Sequence, residues 1–297
     1  MYAIRWNLTE RIRRKVLAEM ESRNDFISRS GIYNMDCLDC MKQMPDQSVD
    51  LIIADPPYFR VHGDFDFTFE SEADYLNWTA EWVRESHRVL KKTGAFYCWG
   101  ICLMIDKISV KILDQFDWTK RNLIIWNYKT GRPSKKAFRM ETEFLWFYSK
   151  EDHVIRNDAV RIPYARGCGY TTDRRKNPLG KSLGNVWEAP RIMRNYPEWV
   201  DHPTQKPLSI CEKIVKASSD KGDLVYIPFS GSGSEALCCH INDRRYIASE
   251  IDSGYCLLAE QRIRDYERTG RPVLINKMEK GEVKYESDAI YGKTVSD

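Results

Sequence analysis

The sequence predicts an α/β fold built on a Rossmann-like, doubly wound sheet, and three features predict it. Apolar stretches of strand length alternate with stretches of helix length from residue 31 to 150 and again after residue 202, the pattern of βαβ units covered on both faces. One of these strands, Val49–Ala54, is almost continuously apolar, as a parallel strand buried on both faces must be. The chain's 297 residues suffice for one large core, and 42% hydrophobic with 30% charged residues is ordinary for a globular domain.

Residues 1–30 form a polar N-terminal extension, with a helix expected over Thr9–Met20 and Thr9 as its N-cap. A helix packed on the main domain and an arm that touches a nucleic acid both suit its arginines. A short strand opens at Gly31, followed by a helix, a turn and the strand Val49–Ala54. A long helix over Tyr75–Leu90, a turn at Lys91–Gly94 and a strand over Ala95–Trp99 come next. A helix over Ile101–Phe116 and strands over Asn122–Tyr128 and Glu143–Tyr148 complete a first half, residues 31–150. Residues 151–201 then lose all periodicity and carry many arginines with interspersed Pro and Gly, and loops this long are uncommon unless they serve a function. A second half, residues 202–265, holds a helix (Leu208–Ser219), a strand (Asp223–Ile227), a Gly-rich turn, a helix, a strand (Tyr246–Ile251) and a helix through Arg264. Residues 266–297 are a polar tail without an assigned element.

Composition excludes several classes. No apolar stretch approaches the roughly 20 residues of a membrane span, and the N-terminus lacks a secretory pattern. Nine cysteines, an odd number, fit reduced thiols in a cytosol better than a disulfide framework. Cys37 and Cys40 form a CxxC with no second pair at zinc-site spacing, so no metal site is expected. A net charge of +3 is too small to announce a nucleic-acid partner by itself.

Three segments carry chemistry. Asp55-Pro56-Pro57-Tyr58 follows the strand Val49–Ala54, where ligands of open α/β sheets bind. The prolines remove amide donors and leave carbonyl acceptors, and an ionised Asp55 only accepts. Such a cluster suits a substrate that donates, such as an amino group, with the Tyr58 ring as a stacking face; a bare strand-ending turn would look the same. Pro228-Phe229-Ser230-Gly231-Ser232-Gly233-Ser234 lies between a strand and a helix, where glycines let a ligand approach the backbone. Glu250 ends the following strand and is placed to hold ribose hydroxyls, which favours an adenosine-bearing cofactor. The third segment, His202-Pro-Thr-Gln-Lys-Pro207, puts a hydroxyl, an amide and an ammonium at a helix start, which suits a carboxylate; Pro207 in a plain helix entry is the alternative.

Taken together and in this order, these segments resemble the DNA amino-methyltransferases in their permuted β arrangement: the DPPY region, a target-recognition region, HPTQKP, then the FxGSG loop. The resemblance covers roughly residues 31–265 and extends to SVDLIIADPPY, LKKTG, IIWNY, ETEFLWF, NVWEAPR and RRYIASEID. It implies a class I methyltransferase fold, circularly permuted, with residues 151–201 as an irregular target-recognition insertion. It implies transfer of a methyl group from S-adenosylmethionine to an amino group of a base extruded from duplex DNA. Asp55, Pro56, Pro57 and Tyr58 would be catalytic, Asp55 and the Pro56 carbonyl accepting from the amino group and Tyr58 stacking on the base. Phe229, Ser230, Gly231, Ser232, Gly233, Ser234 and Glu250 would bind the cofactor, with Asp36 and Cys37 beside its adenine and Thr204 and Lys206 near its methionine end. Arg132, Lys135, Lys136, Arg139, Arg174, Arg175 and Lys176 are the basic residues expected to meet DNA phosphates. The resemblance also admits a homodimer and points to a cytoplasmic protein of prokaryotic or phage type.

Carbon-5 cytosine methylation is set aside, because the chain has no Pro-Cys pair to supply its nucleophile. Asp rather than Ser at the first motif position favours adenine N6 over cytosine N4. Two positions depart from the family pattern: Ile227 stands where Asp is usual, and Ser234 where Thr is usual. Ile227 alone points toward a catalytically inactive, DNA-binding regulatory relative. An enzyme acting on RNA or protein would normally place the cofactor glycines before the catalytic motif, the reverse of the order here.

Overall fold

Alternation along strand β2 (Val49–Ala54) sends its side chains into two separate cores, Leu51 and Ile53 into one and Ile52 and Ala54 into the other. This is the arrangement in a computed structural model that describes residues 18–61, 66, 68–101, 104–164 and 177–273. The other strands are β1 (Gly31–Asn34), β3 (Leu90–Gly100), β4 (Thr119–Asn127), β5 (Thr142–Ser149), β6 (Val186–Glu188), β7 (Leu224–Ile227) and β8 (Arg245–Glu250). They form one sheet in the order β1-β8-β7-β2-β3-β5-β4-β6. Every neighbouring pair is parallel except those of β5, which runs antiparallel to β3 and β4.

The helices divide between the two faces. Residues 18–28 are the described part of α1. α2 (Cys37–Lys42), α3 (Glu72–Val89) and α4 (Ile105–Lys111) cover one face with Met41, Trp82, Val83 and Ile108. α5 (Leu208–Ser218), α6 (Ser234–Ile241) and α7 (Ser253–Thr269) cover the other with Ile210, Ile214, Leu237 and Ile263. The sheet is thus doubly wound, as the alternation of elements predicts. Caps set helix starts: Ser71 accepts from Asp74 N while Asp74 accepts from Ser71 N, a reciprocal box that begins α3 before Tyr75.

Two local expectations change. Lys91–Gly94 is no turn but part of β3: Val49 pairs with Leu90 and Leu51 with Ala95, so the residues between bulge out. Lys91 is anchored there by Asp50, at 2.7 Å. The helix expected over Ile101–Phe116 is shorter, because Ile112 leaves the α region (φ −127°, ψ −64°) and a 3-10 turn follows at Leu113–Gln115. β6, only three residues long, carries too little pattern to be seen in the sequence. The helix expected over Thr9–Met20 lies mostly outside the described residues, and so does its Thr9 cap. The described cysteines are free and buried, and among the described residues no helix is long and apolar enough to cross a membrane.

Candidate active site

Because β1, β8, β7 and β2 are parallel, their carboxyl ends line one edge of the sheet, and a cavity of about 820 Å³ opens above them. Among the described residues that line it, six bear carboxyl groups, Asp36, Asp55, Asp66, Glu235, Glu250 and Asp252, against a single lysine, Lys206. His202 adds no charge: burial, with the nearby Lys206 and Arg262, pushes its imidazole down to about 4. The field inside therefore favours a cationic ligand.

At the β2 end, Asp55 is held on both oxygens. The Tyr58 hydroxyl donates to Oδ1 at 2.9 Å and the Lys206 ammonium to Oδ2 at 2.6 Å. A carboxylate oxygen has a second lone pair, so Asp55 keeps acceptor capacity toward the cavity. Lys206 is 3% exposed and also lies 3.4 Å from Glu143, at the start of β5. Burial opposes the ammonium charge, but Asp55 and Glu143 outweigh it and hold Lys206 above its usual range. Arg191 closes the network from the irregular region, 3.5 Å from Glu143 and with its guanidinium 3.9 Å from the centre of the Tyr128 ring.

The segment carrying Lys206 is pinned by its neighbours. Gln205 accepts from Val200 N and donates to the Glu198 carbonyl, and Glu198 in turn accepts from Leu208 N at the start of α5. Burial, partly offset by Arg262 and that hydrogen bond, pushes the Glu198 carboxyl up to about 7.

At the β7 end, two glycines are required for different reasons. Gly231 has φ +47°, and a Cβ there would lie 2.8 Å from the His202 ring. Gly233 has φ +73° and starts α6; its Cβ would lie 2.4 Å from that of Ala259 in α7. Glu250 binds the loop, accepting from Gly231 N at 2.7 Å and Asp252 N at 2.9 Å. Asp36 accepts from Leu38 N at 2.7 Å, capping α2. Two buried polar atoms on residues that line the cavity have no hydrogen-bond partner: Ser230 Oγ and Glu235 Oε1.

Residues 49–261 match the family described as DNA methylase. The chain belongs to the DNA methylase family. A relative from Escherichia coli (strain K12), named DNA adenine methyltransferase YhdJ, is 33% identical over 243 residues, covering 78% of this chain and 82% of its own. Among solved structures, a complex of M1.HpyAVI with SAM superposes with a TM-score of 0.57 at 23% identity, over 78% of this chain and 98% of the other. The PvuII DNA methyltransferase, described as cytosine-N4-specific, does so with 0.64 at 15% identity, over 89% and 94%. The last two likenesses concern the fold.

The methylase brings most of the expected residues to one cavity. Asp36, Cys37, Asp55, Pro56, Pro57, Tyr58, Thr204, Lys206, Phe229, Ser230, Gly231, Ser232 and Glu250 all line it. Gly233 and Ser234 do not: Gly233 is packed on Ala259, and the fully buried Ser234 receives a hydrogen bond from Arg262. Lys206 is bonded to Asp55, where sequence reasoning expected a cofactor carboxylate. Ile227 is buried in the core. Glu143, Arg191, Glu198 and Glu235 were not foreseen; the only sequence signal was an acidic or basic residue set beside apolar runs.

β4 runs parallel to β2, so the loop that leaves it projects from the same edge of the sheet as Asp55. On it Arg132, Lys135, Lys136 and Arg139 are exposed, together with Phe138. Arg139 is engaged by Glu141 at 2.6 Å. Arg174, Arg175 and Lys176 lie outside the described residues.

Proposed function

We propose that the methylase transfers the methyl group of S-adenosylmethionine to the N6 amino group of an adenine at a specific site in duplex DNA. The observation that carries this is Asp55, 2.6 Å from Lys206 and facing an acid-lined cavity next to a glycine loop. The cavity suits that cofactor on two counts: Ser230 Oγ lacks a partner, and the excess of carboxyl groups suits a ligand of net positive charge.

When bound, the cofactor supplies an electrophilic methyl on a sulfonium. An exocyclic amine is a poor nucleophile because its lone pair is delocalised into the ring. Asp55 and the Pro56 carbonyl accept its hydrogens, favour a pyramidal nitrogen and stabilise the positive charge growing there. Tyr58, tied to Asp55 by its hydroxyl, presents its ring to the extruded base, whose unstacking costs roughly a few kcal/mol. Lys206 and Glu143 keep Asp55 oriented, so alignment is the protein's main contribution. The exposed cations at 132, 135 and 136 meet the phosphates, and residues 151–201 provide target recognition.

Adenine is favoured by the 33% identical relative named for that base and by Asp at the first motif position. The cytosine-N4-specific neighbour supports the shared fold at 15% identity. Methyl transfer from labelled S-adenosylmethionine to mixed-sequence duplex DNA, with mass analysis of the nucleosides, tests the proposal. N6-methyldeoxyadenosine is the expected product; N4-methyldeoxycytidine would overturn the base assignment, and no modified nucleoside would overturn the activity.

A further inference from the structure

Glu235 sits in the first turn of α6, 4% exposed, on the wall of the cavity. Its Oε1 has no hydrogen-bond partner, and it forms an ion pair with neither Lys206 nor Arg262. Lys206 is already committed to Asp55; Arg262 bonds the Ser232 carbonyl and Ser234 through one nitrogen, and its other, also without a hydrogen-bond partner, forms no ion pair with Glu235. A buried carboxylate oxygen left without a donor is strongly disfavoured. Burial, and then the charge of Asp55, push its carboxyl up to about 7, and the opposing pull of Lys206, of its own backbone N–H and of the Cys211 thiol does not restore it. A helix start ordinarily attracts anions, so an acidic side chain turned into this cavity reverses the preference locally. Ile227, at the end of β7, is apolar and supplies no carboxylate.

We infer that Glu235 is the binding group for a ligand ammonium, and that this ammonium is the α-amino group of the cofactor's methionine tail. The inference rests on the cofactor assignment above. The sulfonium has no N–H to donate, and the tail carboxylate would be repelled by Glu235; the α-ammonium alone offers both positive charge and donors. The side chain also has a place near the reaction, since it lines the same cavity as Asp55 and Lys206. Glu235 is thus a cofactor-binding residue that positions the methionine tail.

The test pairs a change in the protein with a change in the ligand. Isothermal titration of the full chain would compare wild type and Glu235→Gln, using S-adenosylhomocysteine and its deaminated analogue, in which hydrogen replaces the α-amino group. Wild type should bind the deaminated ligand about 10- to 100-fold more weakly, the range for a hydrogen bond to a charged group. Glu235→Gln should lose the same factor for S-adenosylhomocysteine and no longer distinguish the two ligands. Its melting temperature without ligand should equal or exceed that of wild type, because an unpaired buried charge has gone; a purely structural glutamate would lower it. Equal affinity of the two ligands for wild type overturns the inference even if the variant does not fold. Undiminished discrimination by Glu235→Gln overturns it as well. Failure of wild type to bind S-adenosylmethionine or S-adenosylhomocysteine at all would bring down the cofactor assignment itself.

Discussion

The Lys206 ammonium lies 2.6 Å from Asp55 Oδ2, across 151 residues of sequence, and a second carboxylate, Glu143, flanks it at 3.4 Å. Lys206 is therefore the cation that keeps two nearly buried carboxylates from facing each other unscreened. Removing one partner of such a pair leaves an uncompensated charge, at about 3–5 kcal/mol. Lys206→Met should lower the melting temperature and reduce kcat by at least ~100-fold through misplacement of Asp55. Thermal melts and single-turnover kinetics on the same preparation check both.

Asp55 should separate chemistry from cofactor binding. Asp55→Ala removes the acceptor for the amino group but leaves Gly231, Ser230 and Glu250 in place. Methyl transfer should be abolished while calorimetry still detects the cofactor. Near wild-type turnover in this variant would remove Asp55 from the mechanism.

Two glycines of one loop should fail differently. Gly231→Ala places a Cβ against the His202 ring, a side chain on the cavity wall, so cofactor affinity should fall at least ~10-fold with modest loss of stability. Gly233→Ala drives a Cβ into Ala259, including its Cα at 2.9 Å, and cannot be relieved by a side-chain rotation. Its main effect should be on folding, about 2 kcal/mol or more, seen by denaturant titration.

Glu198 gives a pH signature. Its carboxyl titrates near 7 in the fold against 4.5 ordinarily, so between these values the folded protein holds a proton the unfolded chain has released. Stability from this group is full below 4.5, falls as the pH rises through the window, and is level above 7. Glu198→Gln should match wild type in the acid range and exceed it above pH 7, by up to ~3 kcal/mol. Parallel melting curves against pH for the two proteins would refute this origin of the pH dependence.

On the basic loop, Lys135→Ala with Lys136→Ala should weaken DNA binding about equally for all sequences. If each lysine neutralises one phosphate, the slope of log affinity against log salt should shrink by about 2. An unchanged slope would place the phosphates elsewhere.

How far the sequence could be read depended on the range of the interaction. Val49–Ala54, the glycine loop and the helices of the second half are local patterns, and periodicity with turn residues was enough to locate them. Long-range partners were invisible: Tyr58 meets Glu143 across 85 residues, and nothing in either neighbourhood says so. The same holds for Lys206, whose ammonium is taken by Asp55 because the fold brings α5 to the end of β2. A bulge such as Lys91–Gly94 looks like a turn in sequence, since both show as a short polar stretch ending in a glycine. Burial patterns report that a side chain is inside, never which charge it will face.

The return of the chain to the sheet at β6 separates two jobs in the protein's capacity to change. Ile125 N bonds the Asn185 carbonyl, Asn185 bonds the Leu123 carbonyl, and Lys129 pairs with Glu188, so the re-entry point is clamped to β4. Arg191, three residues further on, reaches Glu143 from this clamp. Ile162 and Lys181 pair with each other further back, while Arg156 is held by Asp220. Under the proposed role of residues 151–201, replacing only what lies between Ile162 and Lys181 should alter recognition and leave the residues around Asp55 in place.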